Sequence, residues 1–78
     1  MENRINAGYK IVTALRVSKT EELVIGHNAE YPDMWVCWYC NNGNNYSTGF
    51  YCGTFKQALD ELADRIKRNL CYSDFGVL

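Results

Sequence analysis

The chain has 78 residues, 47% of them hydrophobic and 22% charged, with one proline and a formal net charge of -1. Such a length holds one domain, and such a composition excludes a disordered chain. Eight Lys/Arg set against nine Asp/Glu leave no basic excess of the kind that neutralises nucleic-acid phosphates.

Residues 1–7, "MENRINA", are polar and without period, and are predicted to be a flexible terminus. The opening stretch lacks the apolar core of a signal peptide, and no run approaches the roughly 18 apolar residues of a membrane span. Together these predict a cytoplasmic protein whose four cysteines (Cys37, Cys40, Cys52 and Cys71) are reduced and packed as small hydrophobes.

From Tyr9 the chain alternates, with Tyr9, Ile11, Thr13, Leu15 and Val17 on one face and Lys10, Val12, Ala14 and Arg16 on the other. This predicts a strand over 9–17. A polar turn at 18–21 leads to a second strand over 22–28, with Leu23, Ile25 and His27 on one face, and so short a turn implies an antiparallel hairpin. Pro32 then interrupts. The third strand, 34–40, is apolar on both faces: Met34, Val36, Trp38 and Cys40 against Trp35, Cys37 and Tyr39. Asn42-Gly43 is the strongest hairpin signal in the chain. The return strand is 46–52, where Gly49 leaves room for a bulge or for a bulky neighbour.

A helix is predicted over 55–70. Thr54 and Gln57 have the spacing of a capping box, in which each side chain satisfies a backbone N–H of the first turn. Phe55, Ala58, Leu59, Leu62, Ile66 and Leu70 form one apolar stripe, and Lys56, Asp60, Glu61, Asp64, Arg65 and Arg68 form the polar face. Glu61–Arg65 and Asp64–Arg68 run acid before base at i, i+4, the favoured direction. The remainder, 71–78, is an apolar tail with Tyr72, Phe75, Val77 and Leu78.

The expected fold is therefore α+β: a four-stranded antiparallel meander followed by one C-terminal helix packed on one sheet face. A single helix covers one face, yet the third strand carries a tryptophan on each. The tail, a second subunit or a ligand is expected over the other.

The C-x-x-C of Cys37 and Cys40 invites a metal or redox reading. On a strand, residues three apart point to opposite faces, so the two thiols do not converge on one ion. The paired spacing of zinc sites is missing. The redox version needs a cysteine at a helix N-terminus, and the helix starts only after Cys52. His27 is the one base a cysteine nucleophile could use, and nothing in the spacing joins them. Glu21 and Glu22 are neighbours and point apart. No catalytic residue, cofactor site or metal site is assigned.

The aromatics carry what remains. Trp35, Trp38, Tyr39, Tyr46, Phe50 and Tyr51 lie on the second hairpin. Trp and Tyr on a sheet serve as hot spots of protein interfaces, and Trp35, Trp38, Tyr39 and Tyr51 are the candidate contact residues. The alternative is a small single-stranded nucleic-acid-binding protein that stacks bases on these rings with Lys10, Arg16 and Lys56 beside them.

Residues 31–68, "YPDMW" through "LADRIKR", resemble small proteins carried by conjugative transposons and related mobile elements of Gram-positive bacteria. That family's pattern maps to Pro32, Val36, Trp38, Tyr46, Gly49, Tyr51, Ala58 and Arg65. Cys40 stands where the pattern has a second aromatic, and Glu61 where it has an Asp. The resemblance implies a bacterial cytosolic accessory role and no activity. The combined expectation is a non-catalytic protein-interaction module, a homodimer or a binder of a protein partner, with no membrane association.

Overall fold

The computed structural model describes residues 4–73, with side chains as far as Arg68. Five antiparallel strands in sequence order, β1 (Ile5–Asn6), β2 (Tyr9–Arg16), β3 (Glu21–Asn28), β4 (Trp35–Asn41) and β5 (Asn45–Cys52), are followed by helix α1 (Phe55–Ser73). The class is α+β, as expected, but the sheet has five strands and not four. The extra strand lies in the stretch expected to be flexible. Ala7 and Gly8 both have positive φ (52° and 84°), the geometry of a tight two-residue hairpin turn. Ala-Gly is a poor announcement of such a turn, because alanine rarely enters the left-handed region. Arg4 then pins the strand, pairing with Glu22 at 3.0 Å.

The β2 alternation breaks where no residue marks it. Ile11 pairs with Gly26 and Thr13 with Ile25, so Val12 is an extra residue in a bulge. A bulge reverses the facing of everything beyond it. Tyr9 and Ile11 therefore join one core, with Val24, Val36, Trp38 and Cys40, while Val17 joins the other. The single face expected for Tyr9, Ile11, Thr13, Leu15 and Val17 is thus divided between the two sides.

The second core lies under α1: Leu23, Ile25 and Cys37 against Ala58 and Leu62, with Trp35, Tyr39, Cys52 and Ile66 around them. The helix begins as its sequence predicts. Thr54 Oγ1 accepts from the Gln57 N–H at 3.1 Å, and Gln57 Oε1 accepts from the N–H of Gly53 at 3.0 Å, one residue earlier than the capping box expects. The helix continues through Ser73, past the expected end at 70. The expected packing of Leu70 and of the tail falls outside the described side chains and residues.

Three of the helix assignments are reversed in the fold. Arg65, expected on the polar face, is 4% exposed, whereas Phe55 and Leu59, expected in the stripe, are each 39% exposed. The cause is where the helix sits. It packs on β3, β4 and β5, with the Arg65 flank turned toward β5 and the Phe55–Leu59 flank turned toward β2.

Candidate functional site

The two tryptophans do separate to opposite faces, and each is held by different physics. Trp38, on the face away from α1, is 4% exposed. Its indole lies across two glycines: a Cβ on Gly26 would stand 3.2 Å from Cζ3, and one on Gly49 would stand 2.9 Å from Nε1. Tyr9, Tyr46 and Tyr51 surround it edge-on, with centroids 5.6, 5.4 and 6.3 Å away. Edge-to-face pairs of this kind contribute about 0.5–1.5 kcal/mol each beyond their buried area. The sheet's own rings thus enclose Trp38 on the face where a tail, subunit or ligand was expected. Gly49 serves both purposes its position suggested, since Thr48 and Gly49 together oppose Trp38 in a second bulge.

Beside this aromatic floor sits a charged cluster. Glu22, 9% exposed, receives Arg4 at 3.0 Å and Arg16 at 3.8 Å. The hydrogen bond to Glu22 raises the Arg4 pKa further above its ordinary value. The Arg4 guanidinium also reaches Cys40 Sγ at 3.4 Å and lies 5.9 Å from the Tyr46 ring. This cluster closes the lower end of the face, so that Tyr51, 59% exposed, is its main projecting ring.

On the helix side Trp35 forms the middle of a three-ring stack. His27 is parallel to it at 3.9 Å and Phe55 is tilted against it at 5.1 Å. His27 Nε2 lies 3.0 Å from the Pro32 carbonyl oxygen, and a carbonyl can only accept, which places the proton on Nε2. The loop between β3 and β4 is held from within. Asn28 Oδ1 accepts from the N–H groups of Glu30 and Tyr31, and the Asn28 N–H donates to the Met34 carbonyl. Tyr39, the other candidate on this side, lies beneath Arg65, whose guanidinium is 4.7 Å from the ring centre.

The four candidate contact residues therefore do not form one surface. Trp38 and Tyr51 belong to one face, Trp35 and Tyr39 to the other, and Trp38 and Tyr39 are covered. The nucleic-acid set disperses in the same way. Lys10 pairs with His27 and shares its helix-side face, Arg16 pairs with Glu22 on the opposite face, and Lys56 stands on α1.

Cys37 and Cys40 also part: Cys37 packs in the core under α1 and Cys40 in the core around Trp38. Burial pushes the Cys37 thiol up to about 11 and raises that of Cys52 as well. Cys37, Cys40 and Cys52 are free thiols. Among the described residues, no group of three or more His, Cys, Asp or Glu is placed to hold a metal ion, and no helix is long and apolar enough to cross a membrane.

The surface that sequence reasoning missed lies on the helix side. The four long strands, spaced about 4.8 Å apart, are wider than one helix of about 10 Å diameter. With α1 over β3–β5, the β2 part of the face is left open by the described residues. Leu15, 42% exposed, stands on its floor with Thr13 and the partly buried Val17. The exposed flank of α1, Phe55, Leu59, Ala63 and the half-buried Ile66, forms one wall. At one end Ile5, 67% exposed, begins a row across all five strands: Ile5, Lys10, His27, Trp35 and Cys52. The spacing of Leu15 and Leu59 could not show this, because it depends on which strands the helix covers. Comparison with known proteins gives no match to a family model, a curated protein or a solved structure.

Proposed function

We propose that the chain is a non-catalytic protein-interaction module, a small cytoplasmic accessory protein that binds another polypeptide against the open β2 half of its helix-side face. The observation that carries this reading is that Ile5, Leu15, Phe55 and Leu59, apolar side chains from three elements, all stand exposed on the helix side of the sheet. Contiguous exposed apolar surface of this kind marks association sites. Trp35, one of the candidate contact residues, is stacked between His27 and Phe55 and supports the exposed Phe55 ring. Tyr51 supplies a lesser contact on the other side. The resemblance of residues 31–68 to proteins of conjugative transposons supports an accessory role in a mobile element.

Site-specific photocrosslinking in living cells tests the reading. A photoreactive residue at Leu15 or Leu59 should give a discrete higher-mass adduct, and one at the exposed Ala14, on the opposite face of β2, should give none. Adducts at neither Leu15 nor Leu59, with the variants folded by circular dichroism, would refute it.

A further inference from the structure

We infer that the open β2 half of the helix-side face seats an acidic amphipathic helix of a partner protein, which lies beside α1 as the second helix of an incomplete layer. This rests on the protein-binding reading above and names the partner's chemistry.

Shape supplies the first argument. The helix layer over a sheet is built of helices packed about 8–10 Å apart, and β2 lies two strand spacings, about 9.6 Å, from β4, the middle of the three strands that α1 covers. Its floor is a sheet face and its wall is a helix flank with side chains at i, i+4, i+8 and i+11 (Phe55, Leu59, Ala63 and Ile66). A helix with its own apolar stripe meets both, as helix-in-groove recognition requires. A strand would instead pair along the edge of β2 beyond Lys10, where β1 no longer bonds to it, and would leave the apolar side chains of the face uncovered.

Charge supplies the second, independent argument. The four arginines of the chain are each engaged with a carboxylate: Arg4 and Arg16 with Glu22, Arg65 with Glu61, Arg68 with Glu61 and Asp64. The chain has four lysines (Lys10, Lys19, Lys56 and Lys67), and they border the strip. Lys10 stands beside Ile5 in the row of five residues. Lys19 lies in the turn just past Val17. Lys56 and Lys67 stand on the turns of α1 above the Phe55–Ile66 flank, by the helical advance of about 100° per residue. Lys56 pairs with Asp60 at 3.3 Å, but both side chains are largely in solvent, where such a pair holds weakly. The carboxylates near this rim, Asp60, Asp64 and Glu21, are fewer than the lysines, and Asp64 is taken up by Arg68 at 3.1 Å. Exposed cations at both ends of β2 and along α1 select an anionic partner with an apolar face.

The test uses the full chain and two synthetic helical peptides of roughly five turns with the same leucine stripe, one with glutamates and one with lysines on the polar face. Fluorescence anisotropy should show the glutamate peptide binding at least about ten-fold tighter, with the difference shrinking at high salt. Methyl signals of Leu15, Leu59 and Ile66 should shift in its NMR titration. Leu59→Asp, at an exposed position that tolerates it, should abolish binding, and Lys56→Glu with Lys67→Glu should remove most of the preference. Equal or reversed affinities mapped to the same methyls would overturn the acidic class while leaving protein binding in place. Failure of both peptides would overturn the inference, and the photocrosslinking at Leu15 and Leu59 then decides the broader reading separately. A homodimer by light scattering that Leu59→Asp dissociates would assign the strip to a second copy of the chain and overturn the inference. Displacement of the glutamate peptide by an oligothymidylate would do so in favour of nucleic acid.

Discussion

Replacing Arg65 with methionine should remove a large share of this protein's stability. Arg65 is 4% exposed, although it carries a charge. Its Nε donates to Glu61 at 2.8 Å, its Nη2 donates to the Thr48 carbonyl at 2.8 Å, and the guanidinium lies 4.7 Å from the centre of the Tyr39 ring. Nη1 is buried with no hydrogen-bond partner, so the Tyr39 ring under the guanidinium carries part of its compensation. The Thr48 carbonyl is unusual in its own right, because Thr48 has a φ of 54°, a strained conformation for a β-branched residue. The helix arginine holds the bulge of β5 in that conformation. A charge-assisted hydrogen bond is worth about 1.5–3 kcal/mol and a partly desolvated cation–π contact about 0.5–2 kcal/mol. Glu61 keeps Arg68 at 3.3 Å, and methionine restores much of the apolar packing. The net loss should be about 3 kcal/mol, which at about 4–8 °C per kcal/mol for a small domain lowers Tm by roughly 12–24 °C. Urea unfolding followed by circular dichroism measures it. Arg65→Lys should recover under half of the loss, because an ammonium does not span carboxylate, carbonyl and ring together. A loss below about 1 kcal/mol, or a gain of the sort seen when some buried ion pairs are made apolar, would refute the account.

Further outcomes follow from the same geometry. Gly49→Ala places a methyl 2.7 Å from the Tyr51 ring and 2.9 Å from Trp38 Nε1; it should cost about 1–3 kcal/mol, visible as a lowered urea midpoint and a changed near-ultraviolet aromatic signal. Ala7→Gly relieves a left-handed alanine and should raise stability by about 0.5–1 kcal/mol in the same assay. Cys37, whose thiol burial lifts from 9.0 to about 11, stays neutral in the folded chain while the unfolded chain ionises. Its contribution is complete below about pH 9 and is lost as pH rises toward about 11, so the urea midpoint should fall across that window, and fall less in Cys37→Ala. At pH 8 a thiol reagent should modify the half-buried Cys52 well before Cys37, which should react only on unfolding.

Local pattern made much of the fold legible. The four long strands, the Asn42-Gly43 turn, the Thr54 cap and the two-faced character of β4 each rest on neighbours within a few residues, and each stands in the structure with its ends moved by a residue or so. The separation of Cys37 from Cys40 followed from the period of two alone. What the pattern missed were the breaks in that period. Nothing in "KIVTA" marks Val12 as an extra residue, because a bulge there is chosen by how β2 must meet β3. The short β1 escaped because its turn uses Ala7 and its anchor, the Arg4–Glu22 pair, joins residues far apart in sequence.

The sequence by itself determined that both faces of β4 are apolar and that one helix follows the sheet, since hydrophobic period is a property of the chain read in order. Only the tertiary structure decided which face is short of cover. Two glycines on β3 and β5 let the Trp38 indole lie flat and be ringed by three tyrosines from β2 and β5, so the face away from the helix closes on itself. The helix, drawn toward β5 by Arg65 and Thr48, leaves Leu15 and Leu59 facing an open strip. Both outcomes depend on long-range register and on where one helix comes to rest. No local pattern encodes these, because they are settled by contacts between residues brought together only when the sheet is complete.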